Sequence, residues 1–171
     1  GEICIKLGIL LFIKRMFVRL KRLEKMLFNK DYYIMSPIDD SSLIIQAPVD
    51  NFSFFRSVAT KQEAEDLISK IPTIEIIQSE DRKIEYVYKR LLEEGTLENL
   101  IKVIKTTYMR NQERLSQNKR IGERDEVYFE RAEKRLYNEL SVSLNLTFDQ
   151  TKQYVINAVC TLVSWIGGRL L

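Results

Sequence analysis

Two hydrophobic rhythms divide this chain. Up to Val58 the apolar residues fall in short runs separated by polar and turn-forming residues, and beyond it they recur at helical spacing. Tyr32–Ser36 and Leu43–Ala47, rich in aromatic and β-branched residues, predict two strands of a hairpin joined through the polar turn Asp39-Asp40-Ser41-Ser42. All three prolines lie between Pro37 and Pro72, and Pro48 keeps the segment after it off a central strand position.

After Val58, Thr60 and Glu63 form a capping box that opens a first helix, with Ala64, Leu67, Ile68 and Ile71 on one face and Pro72 as its stop. A second helix is predicted from about Glu80 to Glu94, with Ile84, Val87, Tyr88, Leu91 and Leu92 apolar and Gly95 as a left-handed cap. A third begins near Thr96 and carries Leu97, Leu100, Ile101, Ile104 and Tyr108. A fourth spans Glu123 to Leu144 around Ala132, Leu136 and Leu140. The last starts at a second capping box, Thr147 to Gln150, and carries Tyr154 or Val155, then Val159, Leu162, Val163 and Ile166, before Gly167 and Gly168 end it. Trp165, in register with Leu162 and Ile166, is expected to pack rather than to bind.

Residues 1–30 fit two patterns. Ile9, Phe12, Ile13, Met16, Leu20, Leu23 and Leu27 match the stripe of a basic amphipathic helix, while Ile3–Ile5 and Met16–Leu20 are also compatible with strands.

Composition narrows the chemistry. The 171 residues suffice for one domain or two small ones, and 45% hydrophobic against 30% charged residues describes a chain that builds a core. No histidine is present, which removes the side chain best suited to proton transfer near neutrality and the commonest nitrogen ligand for metals. No Gly-rich phosphate loop of the GxxxxGK[ST] or GxGxxG kind occurs, so no nucleotide cofactor is implied. The carboxylate pairs Asp39/Asp40, Glu93/Glu94 and Asp125/Glu126 sit at turns or helix ends, where capping explains them, and an enzyme is not expected. Cys4 and Cys160, far apart and without CxxC spacing, are expected as small buried hydrophobes in a reducing compartment. The longest apolar run, Ile9–Ile13, is far short of the roughly 20 residues of a membrane span, and no small-residue cleavage pattern follows the opening stretch. The cytoplasm is the expected compartment.

The formal charge is only +3, so nucleic-acid binding would have to rest on a local cluster. Residues 102–124 supply one: Lys102, Lys105, Arg110, Arg114, Lys119, Arg120 and Arg124 stand against Glu113 and Glu123, with Gln112, Gln117 and Asn118 as uncharged donors. Neutralising phosphates there would release counterions and make binding fall steeply with salt. A solvated helix face holding ordinary pairs such as Glu98 to Lys102, four residues apart, explains the charges equally well.

A resemblance tips that balance. Tyr32-Tyr-Ile-Met-Ser-Pro37 and Ala47-Pro-Val-Asp-Asn51 resemble the CarD family of bacterial RNA-polymerase-binding transcription regulators. So do Ile104-Lys-Thr-Thr-Tyr-Met-Arg-Asn-Gln-Glu-Arg-Leu115, Asp125-Glu-Val-Tyr-Phe129 and the stretch from Ala132 through Tyr137 to Leu144. The likeness covers roughly residues 31–157 and joins motifs in both halves of the chain. It implies a small Tudor-like or SH3-like N-terminal β domain that docks on the polymerase β subunit, and a helical domain that contacts promoter DNA at the upstream edge of the melted region. The glycine-rich β pattern usual at the start of family members is reduced here to Gly1-Glu-Ile-Cys-Ile5. Some members place an aromatic wedge near the start of the second C-terminal helix, where this chain has Gln78-Ser-Glu-Asp-Arg82.

Together these features predict an α+β protein. Residues 1–57 form a small antiparallel β domain that binds polymerase, and residues 58–171 form five helices that touch DNA. Arg110, Arg114, Lys119, Arg120 and Arg124 are the phosphate-contact candidates, with Lys102, Lys105 and Arg131 behind them. No cofactor, metal or small-molecule substrate is expected. The alternative reading is a peripheral membrane or scaffold protein anchored by residues 1–30 as a basic amphipathic helix.

Overall fold

The computed structural model describes residues 10–13, 16–38, 40–50 and 55–165. The chain divides into two compact units, Gly1–Val58 and Ala59–Leu171.

Among the described residues the first unit is a sheet of five antiparallel strands: β1 (Leu10–Ile13), β2 (Met16–Lys25), β3 (Asp31–Pro37), β4 (Ile45–Pro48) and β5 (Phe55–Ser57). The order β4-β3-β2-β1-β5 is a four-strand meander whose fifth strand returns beside the first. The β3–β4 hairpin pairs Tyr32 with Pro48 and Met35 with Ile45. In its connection the Asp40 carboxylate accepts from the Ser42 backbone N–H and hydroxyl, and these bonds hold the acid below the usual carboxylate range. Pro48 ends an edge strand, where its missing N–H leaves no ladder bond unmade.

Residues 10–13 and 16–25 form strands, which corrects the amphipathic-helix alternative over these positions. Val18 and Leu20 are buried while Arg19 and Lys21 between and after them face solvent, a period of two. A helix would set Leu20 and Leu23 on one face, yet Leu20 is 2% exposed and Leu23 53%. The register with β3 shifts between Leu20 and Arg22, a bulge that leaves Lys21 without a direct opposite. Val18, Leu20, Tyr33 and Met35 form the buried cluster, with Ile45, Ala47 and Val49 packed on it. Ile34 and Ser36 on the alternate positions of β3 are buried too, so this strand is covered on both faces. At the β2–β3 connection Phe28 adopts φ 65° and is 93% exposed. The proposed Ile3–Ile5 strand lies outside the described residues.

The second unit holds α1 (Lys61–Lys70), α2 (Asp81–Glu94), α3 (Leu97–Ser116), α4 (Glu123–Leu144) and α5 (Phe148–Trp165). The capping box forms at α1: Thr60 Oγ1 accepts from the Glu63 N–H, and the Glu63 carboxylate accepts from the Thr60 N–H. Thr147 and Gln150 do the same at α5. Pro72 lies in a 3-10 turn, Ile71–Thr73, that finishes α1. Gly95 closes α2 with φ 64°. The apolar faces converge on one core, in which Ile68, Ile84, Tyr88, Leu100, Val103, Ala132, Leu136, Leu140 and Val155 are buried. Cys160, expected to be buried, is exposed on α5, one residue past the buried Val159 and so turned about 100° from it. Cys4, Gly167 and Gly168 lie outside the described residues, as does the Trp165 side chain. No helix of the described residues is long and apolar enough to cross a membrane.

Candidate nucleic-acid interface

The basic stretch spans the end of α3, the connection to α4 and the first turn of α4. A Schellman motif ends α3. Asn118 takes φ 57°, its N–H reaches the Leu115 carbonyl at 3.0 Å, and the Lys119 N–H reaches the Arg114 carbonyl at 2.9 Å. Asparagine tolerates this left-handed position because its short polar side chain bonds locally. The connection is then pinned to α3 by Asn111, whose Oδ1 accepts from the Gly122 N–H at 2.9 Å and whose Nδ2 donates to Glu126 at 3.3 Å. Lys119 and Arg120 are therefore carried outward on a short, tied loop, both exposed. Gly122 lets Arg114 approach: a Cβ on it would lie 3.2 Å from Arg114 Nε.

Arg110 and Arg124 are differently placed. Arg110 Nε donates to Asp125 Oδ2 at 2.9 Å, and its Nη2 donates to Asp81. Arg124 Nη2 donates to the same Asp81 oxygen at 2.9 Å. Asp125 is 1% exposed and also accepts from the Tyr88 hydroxyl at 3.0 Å. Burial first, and then the Asp125 charge, hold the Tyr88 hydroxyl protonated far above its ordinary range. The Arg110 hydrogen bond and the Arg124 charge hold Asp81 below the usual carboxylate range. Asp81 lies 29 residues from Arg110 in sequence, so a count of charges along residues 102–124 misses it.

The secondary candidates scatter. Lys105 is corrected outright as a phosphate contact: it is 6% exposed, and its ammonium donates to the carbonyls of Ile74, Ile71 and Pro72 at 2.5, 3.0 and 3.4 Å. It caps the 3-10 turn after α1 from inside, and burial pulls its pKa down. Lys102 pairs with Glu98 at 3.0 Å and lines a groove with Leu67, Lys70 and Ile74 on the α1 side, away from the others. Arg131 lies over the Tyr128 ring, 5.6 Å from its centroid. Among the described residues no ion pair holds Arg114, Lys119, Arg120 or Arg131.

A groove of about 520 Å³ between α2 and α4 brings Arg124 and Arg131 together with Lys89 and Tyr128. The sequence reading missed the outer face of α2. Tyr86 is 71% exposed there, with Arg82 and Lys83 one turn before it and Lys89 and Arg90 one turn after. Each cation leans on a glutamate: Arg82 and Lys83 on Glu80 at 2.8 and 3.5 Å, Lys89 on Glu85 at 2.9 Å, Arg90 on Glu94 at 3.8 Å. The signal was present, because Tyr86 falls outside the apolar register of Ile84, Tyr88 and Leu91 while four cations share its face. Among the described residues no group of His, Cys, Asp and Glu side chains could hold a metal ion. No protein-family model and no curated protein matches the sequence.

Proposed function

We propose that this protein is a transcription regulator of the CarD type without catalytic activity, acting in the cytoplasm as a bridge. Its N-terminal sheet holds the β subunit of RNA polymerase, and its helical unit touches promoter DNA beside the melted region. The observation that carries the DNA contact is the cluster of Arg114, Lys119 and Arg120 at the tied α3–α4 connection, exposed or half-exposed and, among the described residues, held by no carboxylate. Cations in that state meet phosphate without first breaking an ion pair. Tyr86 adds an aromatic in the second turn of α2, the second helix of the helical unit, flanked by four cations. A flat ring among cations suits stacking on a base exposed at the edge of a bubble.

The sheet supplies what a bridge needs at its other end, with β4 and β5 as its outermost strands among the described residues. Tethering makes a modest DNA surface sufficient, since polymerase holding one unit raises the local concentration seen by the other into the millimolar range. The test reverses Arg114 and Arg120 to Glu together. Open-complex lifetime should shorten about tenfold, roughly 1.4 kcal/mol, while the amount of polymerase pulled down stays constant. An unaltered lifetime would remove the DNA assignment, and absence of any polymerase retention by the native chain would remove the bridge.

A further inference from the structure

We propose that Arg110 and Arg124 form a phosphodiester subsite covered by Asp81, and that a backbone phosphate of bound duplex takes the place of the Asp81 carboxylate. The inference rests on the DNA-contacting reading of the helical unit. One oxygen of Asp81 accepts from both guanidinium groups, so a single carboxylate bridges α2 to α3 and α4. The bridge is built from outside: the Asp81 side chain is 67% exposed, the two arginines beneath it 24% and 32%. Arg110 does not depend on it, because Asp125 grips its Nε from the buried side and is itself fixed by Tyr88. Arg124 has a donor to spare, since its Nε is buried without a hydrogen-bond partner among the described residues.

The charges select the ligand. Two arginines against Asp81 and Asp125 sum to zero, and a phosphodiester carries the same single negative charge and the same two free oxygens as the carboxylate it would displace. A phosphomonoester would bring a second negative charge that these two arginines do not balance. Displaced, Asp81 turns to water at the first residue of α2, where a negative charge remains favourable to the helix. Exposed pairs of this kind are weak, so the covering carboxylate reduces affinity by about fivefold at most. Asp81 thus keeps these two partly enclosed arginines from indiscriminate anions and yields them to a duplex already aligned by Arg114, Lys119 and Arg120.

The full-length chain is titrated with a fluorescein-labelled promoter duplex across a range of salt concentrations, as native protein and as Asp81→Asn, Asp81→Glu and Arg114→Glu/Arg120→Glu. Circular dichroism of each variant checks that the helices persist. Asp81→Asn should bind about fivefold more tightly at low salt, with the slope of log affinity against log salt steeper by about one. Asp81→Glu keeps the charge and should bind like the native chain, which separates loss of charge from a loosened fold. Unchanged or weaker binding by folded Asp81→Asn, with binding still lost in Arg114→Glu/Arg120→Glu, would defeat the subsite alone. Should the asparagine variant unfold, native-like binding by Asp81→Glu supports the subsite and tighter binding by it overturns it. A native chain that fails to bind duplex at any salt would instead overturn the DNA reading, and the subsite with it.

Discussion

Lys105 contributes to structure rather than to charge on the surface. Three carbonyls around the 3-10 turn after α1 share its ammonium, and in its absence those of Ile74 and Pro72 lose this donor while that of Ile71 keeps the Ile74 N–H. Lys105→Met, which keeps length and loses the charge, is expected to lower unfolding stability by about 2 kcal/mol in urea titrations; an unmoved midpoint would show that water serves those carbonyls as well. The clue in sequence was positional. Lys105 stands four residues after the buried Ile101 and eight after Leu97, on the core side of α3, so its register argued against its charge. Arg110 offers no comparable clue. Its partners Asp81 and Asp125 are 29 and 15 residues away, and only the packing of α2 and α4 on α3 brings them to it.

Helix ends were the most legible elements, because capping hydrogen bonds join residues three or four apart. Thr60 with Glu63 and Thr147 with Gln150 close the reciprocal bonds their spacing predicts, and α4 spans Glu123–Leu144 as its pattern requires. Gly95 is the sharpest case. At φ 64° any Cβ is strained, and here it would also lie 2.6 Å from Arg135 Nη2. Gly95→Ala is expected to cost about 1–2 kcal/mol, read as a lowered thermal midpoint. Retention of the native midpoint would mean that the α2–α3 corner relaxes freely. The left-handed closures at Asn118 and Asn145 were not anticipated, since asparagine occurs in many settings and only the bonds to the preceding turn reveal the motif. The strands β1 and β2 were ambiguous for a different reason. An apolar run interrupted by cations satisfies both periods, and the choice falls to the partner strand, here β3, against which β2 bulges at Lys21.

The helical unit carries its own core, in which α1, α2, α3, α4 and α5 each bury at least two apolar side chains. Residues 59–171 expressed alone are therefore expected to keep their helical circular dichroism and to unfold in one cooperative step; a non-cooperative melt would show that this core is incomplete by itself. Within the sheet, β5 returns to β1 across more than forty residues, Leu11 pairing with Ser57, a contact no local pattern announces.

Local chemistry in the sequence was enough to determine the α+β class, the five helices with most of their ends, the β3–β4 hairpin and the presence of a basic stretch, because periodicity and capping act over a few residues. Tertiary structure alone decided which of those cations reach solvent. Burial of Lys105, the grip of Asp81 and Asp125 on Arg110, and the freedom of Arg114, Lys119 and Arg120 all depend on distant segments meeting in space. The strength of a charge depends on its neighbours in three dimensions, and in a folded chain those are seldom its neighbours in sequence.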